Sequence, residues 1–116
     1  MGKLFHDELK ALIDSFVHNV YKVTKAFPKD EMYGMTSQLR RSALSVILNY
    51  IEGFARNNNK VDKNFLRISY GSLKEAEYLI EFSFEVKYLK ENNYKILIKQ
   101  ADRIGGMLWS TIKNLK

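Results

Sequence analysis

The 116-residue sequence has no cysteine, one proline and two histidines, and no apolar run approaching the ~20 residues that a membrane-spanning helix requires. Without cysteine there is no disulfide framework, no thiolate metal site and no thiol nucleophile, a composition that suits a reducing cytoplasm. Both histidines, His6 and His18, fall in the first predicted helix, and neither stands three residues after a glutamate. The Glu-x-x-His pairs from which helical bundles build di-iron centres are therefore missing. Asp14 and His18 share a helix face and read as an exposed pair. The glycines at 34, 53, 71, 105 and 106 are isolated or paired, without the GxxxxGK[ST] spacing of a phosphate loop. No serine, histidine and acid set stands out, because the serines sit mainly on helices, where small size accounts for them. The expectation is a chain with no catalytic residue, no metal site and no cofactor. The most apolar run, Ala43 to Ile51, is interrupted by Ser45 and Asn49, and the amino terminus MGKLFHDELK is charged within its first turns. Neither a membrane segment nor a signal peptide is expected, and a cytoplasmic location is.

What is present is aromatic and basic. Seven Phe, seven Tyr and one Trp promise a bulky core, and 19 Lys and Arg against 13 Asp and Glu leave a formal net charge of +6. The length fits one domain, 1–116, able to bury enough apolar surface without staples.

The central stretch is Phe27 to Arg56, FPKDEMYGMTSQLRRSALSVILNYIEGFAR. Pro28 closes the preceding element, and Thr36 or Ser37 is placed to cap a helix. From Leu39 the apolar positions Ala43, Val46, Ile47, Tyr50 and Phe54 follow a three-and-four spacing that keeps them on one face. Ser42, Ala43 and Ser45 make a small-residue flank that lets a neighbouring backbone come close. Three further helices have similar character, and the spacing predicts helices at about 4–26, 36–56, 61–89 and 94–115. The run Asn57 to Asn59 is turn-forming, and Glu91 to Asn93 reads as a short connection between antiparallel neighbours. The fold class is all-α, an antiparallel up-and-down four-helix bundle. The third stripe, which includes Phe65, Ile68 and Val86, is broad enough for contacts on two sides. Gly71, inside that helix, costs about 1 kcal/mol relative to Ala, so a close helix crossing is its expected benefit. Gly105 and Gly106 either kink the fourth helix or admit a partner backbone.

The blocks YGMTSQLRRSA, NYIEGFAR and FLRISYGSLKEAEYLI, in this order, resemble the four-helix-bundle family encoded in intervening sequences of bacterial 23S ribosomal RNA genes. More distantly, they are similar to the accessory protein of diversity-generating retroelements. The chain departs from the family pattern at Ser45 to Asn49, where a proline-containing SIPSN is usual, and at Lys90, where a Ser or Thr cap is common. The resemblance implies a basic homo-oligomer, a pentamer, that engages nucleic acid, and for the retroelement relative a reverse transcriptase.

Arg40 and Arg41 follow the start of the second helix and have few acids close in sequence. Consecutive helical positions point about 100° apart, so one can pair between helices or subunits, with Glu52 as its partner, while the other contacts phosphate. With Arg56, Lys60, Lys63 and Arg67 they form the expected nucleic-acid-binding set. Lys95, Lys99 and Arg103 on the fourth helix read as a solvated face. Asn49, Glu52, Gly53, Gly71 and Gly105 are the expected architectural or oligomer positions. The leading expectation is a non-enzymatic, oligomeric, nucleic-acid-associated protein binding RNA or DNA. An adaptor for a reverse transcriptase and its RNA, or a purely structural interaction bundle, is the alternative.

Overall fold

A computed structural model describes residues 2–55 and 60–115 of the chain. It consists of α1 (Lys3–Thr24), a 3₁₀ turn (Lys29–Glu31), α2 (Met35–Phe54), α3 (Lys63–Glu85) and α4 (Glu91–Asn114). Chain neighbours run antiparallel: His6 near the start of α1 meets Tyr50 and Phe54 near the end of α2. Ser69 and Ser72 of α3 meet Val46 and Ser45 of α2. Phe84 stacks on Tyr94 at one end of the α3–α4 seam, and Tyr70 meets Trp109 farther along it. Asn19 of α1 bonds Gln100 of α4, which closes the ring of four helices. The bundle measures 46 × 24 × 18 Å and is an all-α antiparallel four-helix bundle.

Its interior is the set of periodic positions. Leu9, Ile13, Phe16 and Val20 of α1 face Leu39, Ala43 and Val46 of α2, Leu66, Leu73, Ala76 and Ile80 of α3, and Leu97, Ala101, Ile104 and Leu108 of α4, all buried in one core. The α2–α3 seam is the tightest. Ser69 donates to the Val46 carbonyl at 2.7 Å, Ser45 and Ser72 share a 2.7 Å hydrogen bond, and the Asp62 N–H donates to the Gly53 carbonyl at 2.8 Å. A Cβ at Gly53 would lie 2.8 Å from Leu66 Cδ2 and 3.3 Å from the Asp62 carbonyl oxygen. Small side chains along α2 let α3 approach until side chains bond directly to backbone.

Three boundaries differ from the sequence expectation. Neither Thr36 nor Ser37 caps α2; the N-cap is Gly34, and Glu31, carried beneath the helix start by the 3₁₀ turn, accepts from the Met35 N–H at 3.1 Å. The Tyr88 hydroxyl donates to the other oxygen of Glu31 at 2.7 Å, and these two donors lower the pKa of its carboxyl group. α3 ends at Glu85 rather than near Leu89. Lys87 adopts a left-handed φ of 69°, and the N–H groups of Lys87 and Tyr88 donate back to Phe84 and Ser83 at 3.0 and 2.8 Å, a Schellman closure with lysine where glycine is usual. α4 starts at Glu91, so Glu91 to Asn93 is its first turn and not a connector. Its N-cap, Lys90, has no side-chain bond to the helix.

Candidate nucleic-acid interface

Adjacent arginines on α2 have separate fates. Arg40 is half-buried, donating from Nε to Thr24 Oγ1 at 2.8 Å and from a terminal nitrogen to the Tyr21 carbonyl at 3.4 Å. Its guanidinium carbon sits 4.8 Å from the centre of the Tyr21 ring. A cation at carbonyls in the last turn of α1 also suits the negative end of that helix. Glu52 lies twelve residues farther along α2, about 18 Å, out of reach of either arginine in the same chain. The expected Arg–Glu52 pair is therefore replaced within the chain by an Arg40 tie to α1.

Arg41 points outward, on a shallow groove between α2 and α3 lined by Gln38, Ser45, Ser72 and Glu75, and has no ion pair among the described residues. Arg67 on α3 is likewise exposed and unpaired among the described residues, about 12 Å along α3 from Glu75. Lys60 is exposed ahead of α3. Lys63 is occupied, donating to the Leu115 carbonyl at the end of α4 at 3.2 Å. Arg56 lies outside the described residues, as does the turn expected at Asn57 to Asn59. The five described basic positions thus divide between two roles. Arg41, Lys60 and Arg67 remain presented to solvent, while Arg40 and Lys63 hold helix ends.

Among the architectural positions, Asn49 donates to the carbonyl and hydroxyl of Ser45, both at 2.9 Å, joining the α2–α3 polar seam next to the Gly53 contact. Glu52 is exposed on the outer side of α2. Gly71 is exposed, and a Cβ there would meet nothing within 4 Å, so among the described residues no helix crosses closely at it. At Gly105 a Cβ would be 3.5 Å from Leu73, an ordinary contact.

The sequence singled out no member of the apolar stripe on the solvent side of α2. Leu44, Leu48 and Ile51 are 37, 55 and 41% exposed, and Arg41 continues the same face by helical spacing. The off-face apolar residues at four- and three-residue intervals were the available signal. On the α3–α4 seam, Trp109 is 53% exposed beside Tyr70, and Lys74 lies 5.2 Å from the Tyr70 ring centre and 3.5 Å from Glu77. Burial raises the Glu77 pKa despite the attraction of Lys74. His18 and Asp14 form an exposed 3.5 Å pair, as their spacing suggests.

A profile of the 23S rRNA-intervening sequence protein matches residues 10–110. The chain belongs to that family. A crystal structure of a protein of unknown function from the S23 ribosomal protein family of Bacteroides thetaiotaomicron VPI-5482 superposes with a TM-score of 0.85 at 22% identity, covering 95% of this chain and 99% of that one. At that identity the likeness speaks for the fold shared by this 23S rRNA-intervening sequence family member. A search of curated proteins returns no match. Neither the family description nor the structural neighbour names an enzymatic activity. Among the described residues, no helix is long and apolar enough to cross a membrane.

Proposed function

We propose that the protein is a non-enzymatic homo-oligomer that associates with nucleic acid. The outward face of α2 carries this reading. Leu44, Leu48 and Ile51 spend apolar surface on water in a single copy, and covering the exposed third to half of each recovers a corresponding fraction of the roughly 1.5–3 kcal/mol that full burial gives. Copies that cover this stripe bring several Arg41 side chains to a common rim, and the excess charge of +6 per chain is multiplied with them. A ring of five is the assembly that the family resemblance implies. Binding then proceeds through phosphate neutralisation and counterion release, so affinity falls steeply with salt.

Light scattering combined with salt-titrated binding to RNA and DNA tests both halves. The expected result is an oligomer that Leu48→Glu reduces to folded monomer, and a nucleic-acid complex that Arg41→Glu with Arg67→Glu weakens without changing mass. A wild-type protein that stays a single copy, or shows no complex at low salt, overturns the corresponding half.

A further inference from the structure

A concavity lined by none of the described basic positions considered above lies where the end of α1, the α3–α4 turn and the start of α4 meet. It encloses about 500 Å³. Three lysines line it from three separate segments: Lys22 in the last turns of α1, Lys87 in the turn and Lys90 at the N-cap of α4. No acidic residue lines it, and none of the three ammonium groups has an ion pair or hydrogen bond among the described residues. Two nearby carboxylates are engaged elsewhere: Glu31 accepts from Met35 and from the lining residue Tyr88, and Glu91 lies 3.6 Å from Lys95. Like charges that line one concavity repel one another. Val23 and Leu97 form part of an apolar floor, and Asn93 adds an amide to the lining. An anion relieves the repulsion, and apolar surface beside it suits a ring.

We propose that this cavity binds the phosphate of a nucleotide, the three ammonium groups taking the phosphate oxygens and the Val23–Leu97 floor receiving the adjoining sugar or base. The nucleotide is either a residue of an RNA or DNA strand, in which case the site rests on the nucleic-acid reading above, or a free nucleotide. Lysine fits as a mobile point charge on a phosphate. Lys87 holds its place despite a backbone angle that glycine adopts more readily.

The test compares wild type with Lys22→Gln/Lys87→Asn/Lys90→Gln, in which asparagine keeps a residue tolerant of the left-handed angle. Circular dichroism checks that the variant is folded. Adenosine monophosphate and a short single-stranded oligonucleotide are titrated in turn, read by amide chemical shifts and by fluorescence anisotropy. If the site serves a strand, oligonucleotide affinity falls about tenfold or more in the variant, and the log–log salt slope becomes shallower by about 2. If it serves a free nucleotide, adenosine monophosphate shifts amides around Val23, Lys87 and Asn93 in wild type and not in the variant, even where no oligonucleotide binds. Nucleotide shifts at the cavity with no oligonucleotide complex even at low salt uphold the cavity and remove the nucleic-acid reading. Oligonucleotide affinity unchanged by the variant, together with no nucleotide shifts at the cavity, overturns the cavity and leaves the nucleic-acid reading intact.

Discussion

Arg40 Nε donates to Thr24 Oγ1 at 2.8 Å, and through that bond the second turn of α2 holds the last turn of α1. Thr24 is buried and passes its own proton to the Val20 carbonyl at 2.7 Å, so removing the guanidinium leaves a hydroxyl acceptor facing the gap. Arg40→Ala is expected to destabilise by about 1.5–3 kcal/mol, the range for a hydrogen bond to a charged group. Arg40→Lys recovers only part of this, because an ammonium cannot reproduce the fork across Thr24 and Tyr21. Urea melts measure both, and Arg41→Ala serves as the near-neutral control.

The glycines divide sharply under substitution. Gly53→Ala would press a methyl against buried Leu66 and the Asp62 carbonyl, with an expected loss of about 1–3 kcal/mol. Gly71→Ala and Gly106→Ala meet open space within helices and should each stabilise by about 0.5–1 kcal/mol. Thermal melts of the three single variants give the signs directly.

Lys87→Gly relieves a left-handed lysine, which costs about 1–2 kcal/mol, and gives back part of that gain through the freer unfolded chain. A net stabilisation of about 0.5–1 kcal/mol is expected by chemical denaturation. The same change removes one ammonium from the three-lysine cavity, so the stabilised variant should hold nucleotide phosphate less well.

His6 and Tyr50 shape opposite sides of the pH profile. His6, packed on Phe54 and 3.3 Å from the Tyr50 hydroxyl, has its pKa lowered from 6.5 by burial. The unfolded chain then binds more protons, so this stability is present above pH 6.5 and declines as pH falls below it. Tyr50 is pushed up to about 12 by burial, so its contribution is intact below pH 10 and is lost as pH rises toward 12. Denaturant midpoints across pH should flatten on the acid side for His6→Gln and on the alkaline side for Tyr50→Phe.

The four helices were legible because their apolar positions recur with the helical period. Burial of Leu9, Ile13 and Phe16, or of Leu97, Ala101 and Ile104, follows from spacing alone. The α3–α4 boundary was not legible. Its stop signal is a left-handed Lys87, a residue type with no turn signature, and its restart is a Glu-Asn-Asn run that looks like a loop. The cap of α2 was misplaced for a related reason: Glu31 acts from outside the helix, through a turn whose position depends on Tyr88, 57 residues away.

Local pattern decided which residues are helical and which helix face is apolar, since both depend on interactions within a few residues. Tertiary packing decided what each polar or small residue on those helices does. Arg40 and Arg41 are chemically identical and adjacent, yet the 100° between them puts one against α1 and the other in solvent. Gly53 and Gly71 read alike in sequence as helical glycines expected at close contacts, and only the passage of α3 beside Gly53 separates their roles. The three cavity lysines converge only because antiparallel packing joins the end of one helix to the beginning of another.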